Sequence, residues 1–265
     1  ALEVYLADPE VPIDTNHLSI EFGGGFSFLA SYNRSERSLN SARILAPAPG
    51  DKDCLNALRT DELFISGPSQ ASLSFCNGKF VMMPNALFAP EHARAMLQLN
   101  ASINDDDEVR HMDMPAFDAQ LIYAASREVE KEMTKRYPRY HEGHCAGHFL
   151  SLCRRQLKDG QQVFLYFYPG FFLMSAFIGE QLQMINAYSW RDPDDVLYFS
   201  LYACEQIRFD PAQVRFSAGG EIEKEGKVHR LLERYTTGIQ FMESPGIISN
   251  ESARFLTLSE QFRCA

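Results

Sequence analysis

The sequence predicts an α/β protein made of two similar halves, residues 1–118 and 119–265. Three observations carry that expectation. Short stretches of alternating apolar and polar residues come in runs of three. Helix, strand and helix patterns follow each run, so that one order of elements occurs twice. The composition, 45% apolar and 23% charged, is that of a folded chain with a sizeable core.

In the first half, Leu18, Ile20 and Phe22 alternate with polar neighbours, Gly23-Gly24-Gly25 interrupts, and Phe26, Phe28 and Ala30 alternate again. This is the pattern of a hairpin with a glycine turn. A third strand is expected at residues 41–46. Residues 53–64 place Leu55, Leu58 and Leu63 at roughly helical spacing behind Asp53, a capping residue type. Residues 72–76 and 79–83 flank Asn77-Gly78, the strongest short-range signal for a two-residue hairpin turn, and are read as paired strands. Pro90-Glu91 opens a helix with Ala93, Met96, Leu97 and Leu99 inward, ending before Asp105-Asp106-Asp107-Glu108. That acidic run lacks the spaced ligands and glycine of a calcium loop and reads as a solvated loop.

The order begins again at residue 119: a strand at 120–124, a helix at 126–137 and a further helix at 147–157. Three strands follow at 162–168, 171–178 and 181–188, joined by Pro169-Gly170 and Gly179-Glu180, both turn-forming dipeptides. Asp192-Pro193 starts a long helix to about residue 207. A strand at 213–217, a helix at 227–235 and a strand at 239–242 complete the half.

Charge and composition narrow the partners. With 35 acidic and 25 basic side chains the formal charge is -10, which repels nucleic-acid backbones and anionic lipid headgroups. The longest apolar stretch, residues 163–177, is broken by Pro169-Gly170 and Ser175 and is too short to cross a bilayer as a helix. Residues 1–14 carry Glu3, Asp8, Glu10 and Asp14 without a basic residue ahead of an apolar run, unlike a signal peptide. Cys54, Cys76, Cys145, Cys153, Cys204 and Cys264 are scattered without a C-x-x-C pair, as free thiols in a reducing compartment are. The expectation is a cytoplasmic protein with a protein partner, no nucleic acid and no membrane insertion.

Three meander strands followed by helix, strand and helix, twice over, resemble the outline of the actin-like ATPase superfamily, in which two ribonuclease-H-like lobes close on a nucleotide. More specifically, "LSIEFGGGFSF", "KFVMMPNALF" and "INAYSWRDPDDVLYFSLYACEQIRFDP" look like the recurring blocks of DUF3822, a bacterial, Bacteroidetes-type family of unknown function with that fold. The resemblance runs from Leu18 to Phe241. It implies two ribonuclease-H-like lobes, each a three-strand meander with parallel strands and helices, and it implies no activity.

Active members of the superfamily bind phosphates at hairpin tips, and each lobe supplies an Asp that holds magnesium or orients the attacking water. The resemblance places Glu21 at the Asp of an Asp-x-Gly pattern and Gly23 at its glycine. Gly23, Gly24 and Gly25 either expose N–H groups to a phosphate or permit a tight turn. In the second lobe "VFLYFYPGFF" puts Tyr166 or Tyr168 where the acid belongs, and Pro169 removes a backbone donor. A phenol, with a reference pKa of about 10, is no carboxylate ligand at neutral pH. Gly219-Gly220 resembles the adenosine-side glycine pair, or else is a strand-to-helix connection. No catalytic residue is assigned, and ATP with magnesium is not the favoured cofactor. The expected function is a non-catalytic or weakly nucleotide-binding scaffold for assembly. The alternative is an ATP-hydrolysing enzyme of the same superfamily.

A second alternative is zinc. In "HEGHCAGH" the imidazoles of His141, His144 and His148 fall within eight residues, and a helix would put His144 and His148 on one face. Gly143 and Gly147 weaken such a helix, and the order is not H-E-x-x-H. Neither a G-x-S-x-G elbow, a P-loop nor a G-x-G-x-x-G is present. Trp190, the only tryptophan, reads as a core anchor.

Overall fold

In a computed structural model, which describes residues 2–6, 16–46, 50–243 and 254–264, four of the strands expected in the first half join one six-stranded sheet with two others. Its members are β1 (Leu2–Leu6), β2 (Asn16–Gly23), β3 (Phe26–Asn33), β4 (Ser38–Leu45), β5 (Gln70–Cys76) and β9 (His141–His144), in the order β1-β4-β3-β2-β5-β9. The expected glycine hairpin is present, with β2 and β3 antiparallel from Asn16↔Asn33 to Gly23↔Phe26. Gly25, at φ 92, takes the turn position that a side chain disfavours. Two helices, α1 (Asp51–Thr60) and α2 (Glu62–Ser66), replace the single one expected over 53–64. Asp61 causes the break: its extended backbone ends α1, and its carboxylate caps α2 by accepting from the N–H groups of Leu63 and Phe64.

The hairpin expected around Asn77-Gly78 does not form. Strand β5 stays in the large sheet, parallel to β2 on one side and β9 on the other. Strand β6 (Phe80–Pro84) leaves for a three-stranded sheet with β7 (Asp107–Met114) and β8 (Ala119–Ser126), in the order β6-β8-β7. Asn77 carries the chain across, its amide accepting from Lys79 N–H (2.8 Å) and donating to Ala124 O of β8 (3.1 Å). The acidic run does not end as a solvated loop either. Asp107 and Glu108 open β7, and they pair with Lys79 (2.8 Å) and Arg127 (2.7 Å). Helix α3 (Ala93–Gln98) packs Ala93 and Leu97 against Ile122 and Ala124 of β8. Helices α4 (Arg127–Arg136) and α5 (Cys145–Arg154) follow β8 and β9.

The predicted three-strand run of the second half is present as β10 (Gln161–Tyr168), β11 (Phe171–Ile178) and β12 (Gln181–Ser189). With β13 (Arg215–Gly220) and β14 (Ile239–Phe241) they make a five-stranded sheet ordered β12-β11-β10-β13-β14, its last three strands parallel. Helix α6 (Pro193–Gln206) begins at a capping box in which Asp192 and Asp195 bond each other's backbone, with Pro193 at the first helical position. Val163, Leu165 and Phe167 of β10 face Val196, Ala203 and Cys204 of α6 and Leu232 of α7 (Lys227–Glu233) in one buried cluster. Trp190 joins its margin, edge-on to Phe167 with ring centroids 6.0 Å apart. The last helix is α8 (Leu256–Cys264).

Packing divides the chain into two units, residues 1–148 with 257–265, and residues 149–256. The boundary expected at 118/119 falls inside the first unit, immediately before β8, which is hydrogen-bonded to both β6 and β7.

Candidate functional site

Strand periodicity puts His17, Ser19, Glu21 and Gly23 of β2 on one face of the first sheet. Their register partners are Tyr32, Ala30, Phe28 and Phe26 on β3, and Ser72 and Ser74 on β5 stand opposite Ser19 and Glu21. The face is polar and nonetheless buried. Glu21, Ser19 and Ser74 are wholly inaccessible, and His17 and Ser72 nearly so. Ser72 Oγ centres a network: it lies 2.9 Å from His17 Nε2, donates to Ser19 Oγ at 3.4 Å and accepts from Gln261 Nε2 of α8 at 2.8 Å. Gln261 also donates to the Ile20 carbonyl (3.2 Å). Phe262 stacks on Tyr32, with centroids 4.7 Å apart and planes 6° from parallel, and tilts against His17 at 5.5 Å.

The electrostatics follow from this burial. Desolvation, then the charges of Arg34 and His141, lower His17 to about 4, so it is neutral at pH 7. Burial and the negative charge of Glu21 push the Tyr32 phenol far above its usual range, opposed in part by Ser259 and Arg263 of α8. Gly23 is a glycine for a local reason: a side chain there would run into the ring of Phe26 and the carbonyl of Cys76. Gly24 is exposed at the turn and Gly25 half-buried.

In the second unit Tyr166 and Tyr168 of β10 are fully buried. Tyr166 donates its hydroxyl to the carbonyl of Arg254 (3.0 Å), and its ring packs near Phe149 and Tyr168. Gly219 is its direct register partner on β13. The space over Gly219 is filled by the Tyr166 ring and Leu256 Cδ1, 3.2 and 3.3 Å from where a Cβ would stand. Gly220, at φ 83, turns its Cα against the Phe167 backbone and tolerates no side chain. Sequence reasoning did not single out Gln261, Phe262 or Leu256. Nothing local in "FLTLSEQFRC" marks them, because their partners lie up to 241 residues away.

The three histidines are not brought together as a ligand set. "HEGH" is strand β9, parallel to β5 with His141 opposite Ser72, so His141 and His144 point to opposite faces, and the helix begins only at Cys145. His141 is exposed. His144 lies between the rings of Phe80 and Tyr123, accepts from Ala146 N–H (3.2 Å) and sits 3.4 Å from Asn77 Oδ1. His148 is buried on α5 against Gly143, and burial with the charge of His144 lowers it to about 4. Among the described residues no group of three or more His, Cys, Asp or Glu side chains is placed to hold a metal ion. Cys145 is unusual: burial would raise its thiol, yet a hydrogen bond from Cys76, the neighbouring His144 and the Asn77 N–H bring it down to about 5. An open depression of about 520 Å³ includes Arg110, Arg127, Lys131, Glu130 and Glu142 in its lining. Its central cation is spent internally, since Arg110 donates to both carboxylate oxygens of Glu130 at 2.8 and 3.1 Å.

The sequence matches the profile of a family described as proteins of unknown function, DUF3822, over residues 13–239, and the chain belongs to that family. No curated protein sequence matches it. Among solved structures, a Bacteroides thetaiotaomicron protein with an actin-like ATPase fold and unknown function superposes with a TM-score of 0.75 at 15% identity, over 92% of this chain and 96% of that one. The PilM-PilN type IV pilus biogenesis complex gives 0.61 at 11% identity, over 95% and 99%. The cytoplasmic domain of EpsL, an inner membrane component of the type II secretion system of Vibrio cholerae, gives 0.51 at 8%, over 94% and 95%. The fold is therefore that of the actin-like ATPases. Among the described residues no helix is long and apolar enough to cross a membrane.

Proposed function

We propose that this DUF3822 protein is a protein-binding scaffold of the bacterial cytoplasm, whose actin-like fold has given its nucleotide positions over to packing. The observation that carries the reading is the filling of Gly219. Where the superfamily's glycine pair admits an adenosine, the Tyr166 ring and Leu256 stand in van der Waals contact with the glycine, and Tyr166 is anchored to Arg254 O. The resemblance puts Tyr166 or Tyr168, both fully buried, where the second lobe of an active member carries its acid. On the first unit Glu21 is inaccessible on a face covered by Gln261 and Phe262. A carboxylate that no solvent reaches has no route to a hydrated magnesium ion. EpsL and the PilM-PilN complex, of the same fold, are parts of secretion and pilus assemblies, which supports a role in assembly rather than turnover.

Calorimetric titration of the full chain with ATP and magnesium, paired with a phosphate-release assay, tests the reading. The expected result is no saturable heat up to about 1 mM nucleotide, an affinity ceiling of about -4 kcal/mol, and no release above buffer. Saturable binding with steady phosphate release that Glu21→Gln abolishes would overturn it.

A further inference from the structure

With a formal charge of -10 the chain as a whole repels anions. The open depression of about 520 Å³ on the first unit reverses that sign locally: Arg110, Arg127, Lys131 and Lys135 line it against two carboxylates, Glu130 and Glu142. The reversal begins in α4, whose sequence "REVEKEMTKR" sorts charge by helical face. Glu128 and Glu132, four apart, turn to Arg59 of α1, at 3.6 and 2.8 Å. Arg127, Lys131 and Lys135, each four apart, are left on the side that lines the depression.

The carboxylates inside are already satisfied. Arg110 donates to both oxygens of Glu130 and stands 3.8 Å from Glu142, which also accepts the hydroxyls of Tyr123 (3.1 Å) and Tyr140 (2.9 Å). Their side chains keep only 11% and 19% of their surface, so they form a floor while the cations stand at the rim. Arg127 pairs with Glu108 across a solvent-exposed contact, of a kind that holds its partner weakly. Lys131 and Lys135 are exposed, and among the described residues they make no ion pair and no side-chain hydrogen bond. Two ammonium groups thus stand over a floor whose own acids are occupied, and the matching carboxylates have to come from outside.

Spacing selects the form of that anion. Each step of four along a helix advances about 6 Å, and each step of two along an extended chain advances about 6.6 Å. A compact anion engages at most neighbouring cations of such a row. An extended peptide with a carboxylate at every second residue engages all three.

We infer that the depression beside α4 is a docking site for an extended acidic segment of a partner protein, with carboxylates at alternate residues set against Arg127, Lys131 and Lys135. This rests on the scaffold reading and supplies the scaffold with a class of partner.

Fluorescence anisotropy of a fluorescein-labelled peptide, Glu-Thr-Glu-Thr-Glu-Thr-Glu, titrated with the full chain tests it. Saturable binding below about 100 μM is expected in low salt, weakening as salt is raised. Lys131→Gln/Lys135→Gln should weaken it about tenfold; both side chains are exposed, so the fold is not at stake. Lys224→Gln/Lys227→Gln, an equal change of charge at exposed sites of the second unit, should leave it unaltered. The isomer Glu-Glu-Glu-Glu-Thr-Thr-Thr should bind about threefold or more weakly, because its carboxylates no longer match the row. The inference is overturned by an absence of binding, by equal losses in the two lysine pairs, by equal affinity for the two isomers, or by oligothymidylate binding more tightly than the alternating peptide. No arm contains nucleoside triphosphate, so ATP hydrolysis would count against the scaffold reading without altering the peptide result, and a failed peptide titration would leave the nucleotide result as it was.

Discussion

Acid should unfold the first unit before its carboxylates titrate, because two of its histidines are buried in the neutral form. Burial is the main cause at both His17 and His148, and each is lowered from 6.5 to about 4. In the unfolded chain both return to the ordinary value, so between pH 6.5 and 4 the unfolded state holds more protons than the folded one. Stability then rises with pH across that window: the contribution is fully present above pH 6.5 and is lost as pH falls toward 4. At pH 5 the linkage amounts to about 2 kcal/mol for each histidine, roughly 4 kcal/mol for the two, from shifts of this size at about 1.4 kcal/mol per pKa unit. Glu130, raised mainly by burial, acts in the opposite direction and takes back part of the loss. Urea unfolding followed by circular dichroism at pH 7 and pH 5 measures the difference, and His17→Gln with His148→Gln should flatten it. Ring C–H resonances of either histidine titrating near 6.5 in the folded protein, or an unchanged pH dependence in the double variant, would refute the reasoning.

Two other outcomes follow from packing. Gly23→Ala drives a methyl into the Phe26 ring and the Cys76 carbonyl and should cost about 1–3 kcal/mol, while Gly220→Ala, at positive φ and against the Phe167 backbone, should cost about 3 kcal/mol or more; thermal melts compare the two. Of the six thiols only Cys264 is exposed, so iodoacetamide on the native chain should add one adduct quickly, at Cys264, and the remaining five only in denaturant. Early labelling of Cys145 by mass spectrometry would show that its low-lying thiol is reached by solvent.

The elements that sequence reading placed well are those whose signals are local. The strands β10 to β12 are each bounded by a turn dipeptide, and α6 carries its own start in Asp192, Pro193 and Asp195. What escaped is set by distant partners. Asn77-Gly78 has the right dipeptide for a hairpin, but β5 finds parallel neighbours on both sides, and the Asn77 amide finds Ala124 instead of closing a turn. "HEGH" offers helix spacing to the eye and becomes a strand because β5 has an open edge to pair with. Glu21 and Gly219 were identifiable as positions of interest through the family resemblance. That the first lies on a face covered by Gln261 and Phe262, and the second beneath Leu256, was not, since α8 lies more than two hundred residues from β2 and looks locally like any short amphipathic segment.

The glycines tie the two units to one physical account. In a nucleotide-binding lobe a glycine is needed because a phosphate or a ribose comes within contact distance of the backbone. Here the same requirement is met from inside the chain: the Phe26 ring lies against Gly23 and the Tyr166 ring against Gly219, each from the neighbouring strand. A glycine explained by an aromatic ring no longer indicates a ligand. An aromatic ring against a glycine imposes the same backbone constraint that a ligand would, so Gly23 and Gly219 are accounted for by the packing of Phe26 and Tyr166. The polar groups of the first sheet face are satisfied by α8, whose Gln261 donates to Ser72 and whose Phe262 stacks on Tyr32.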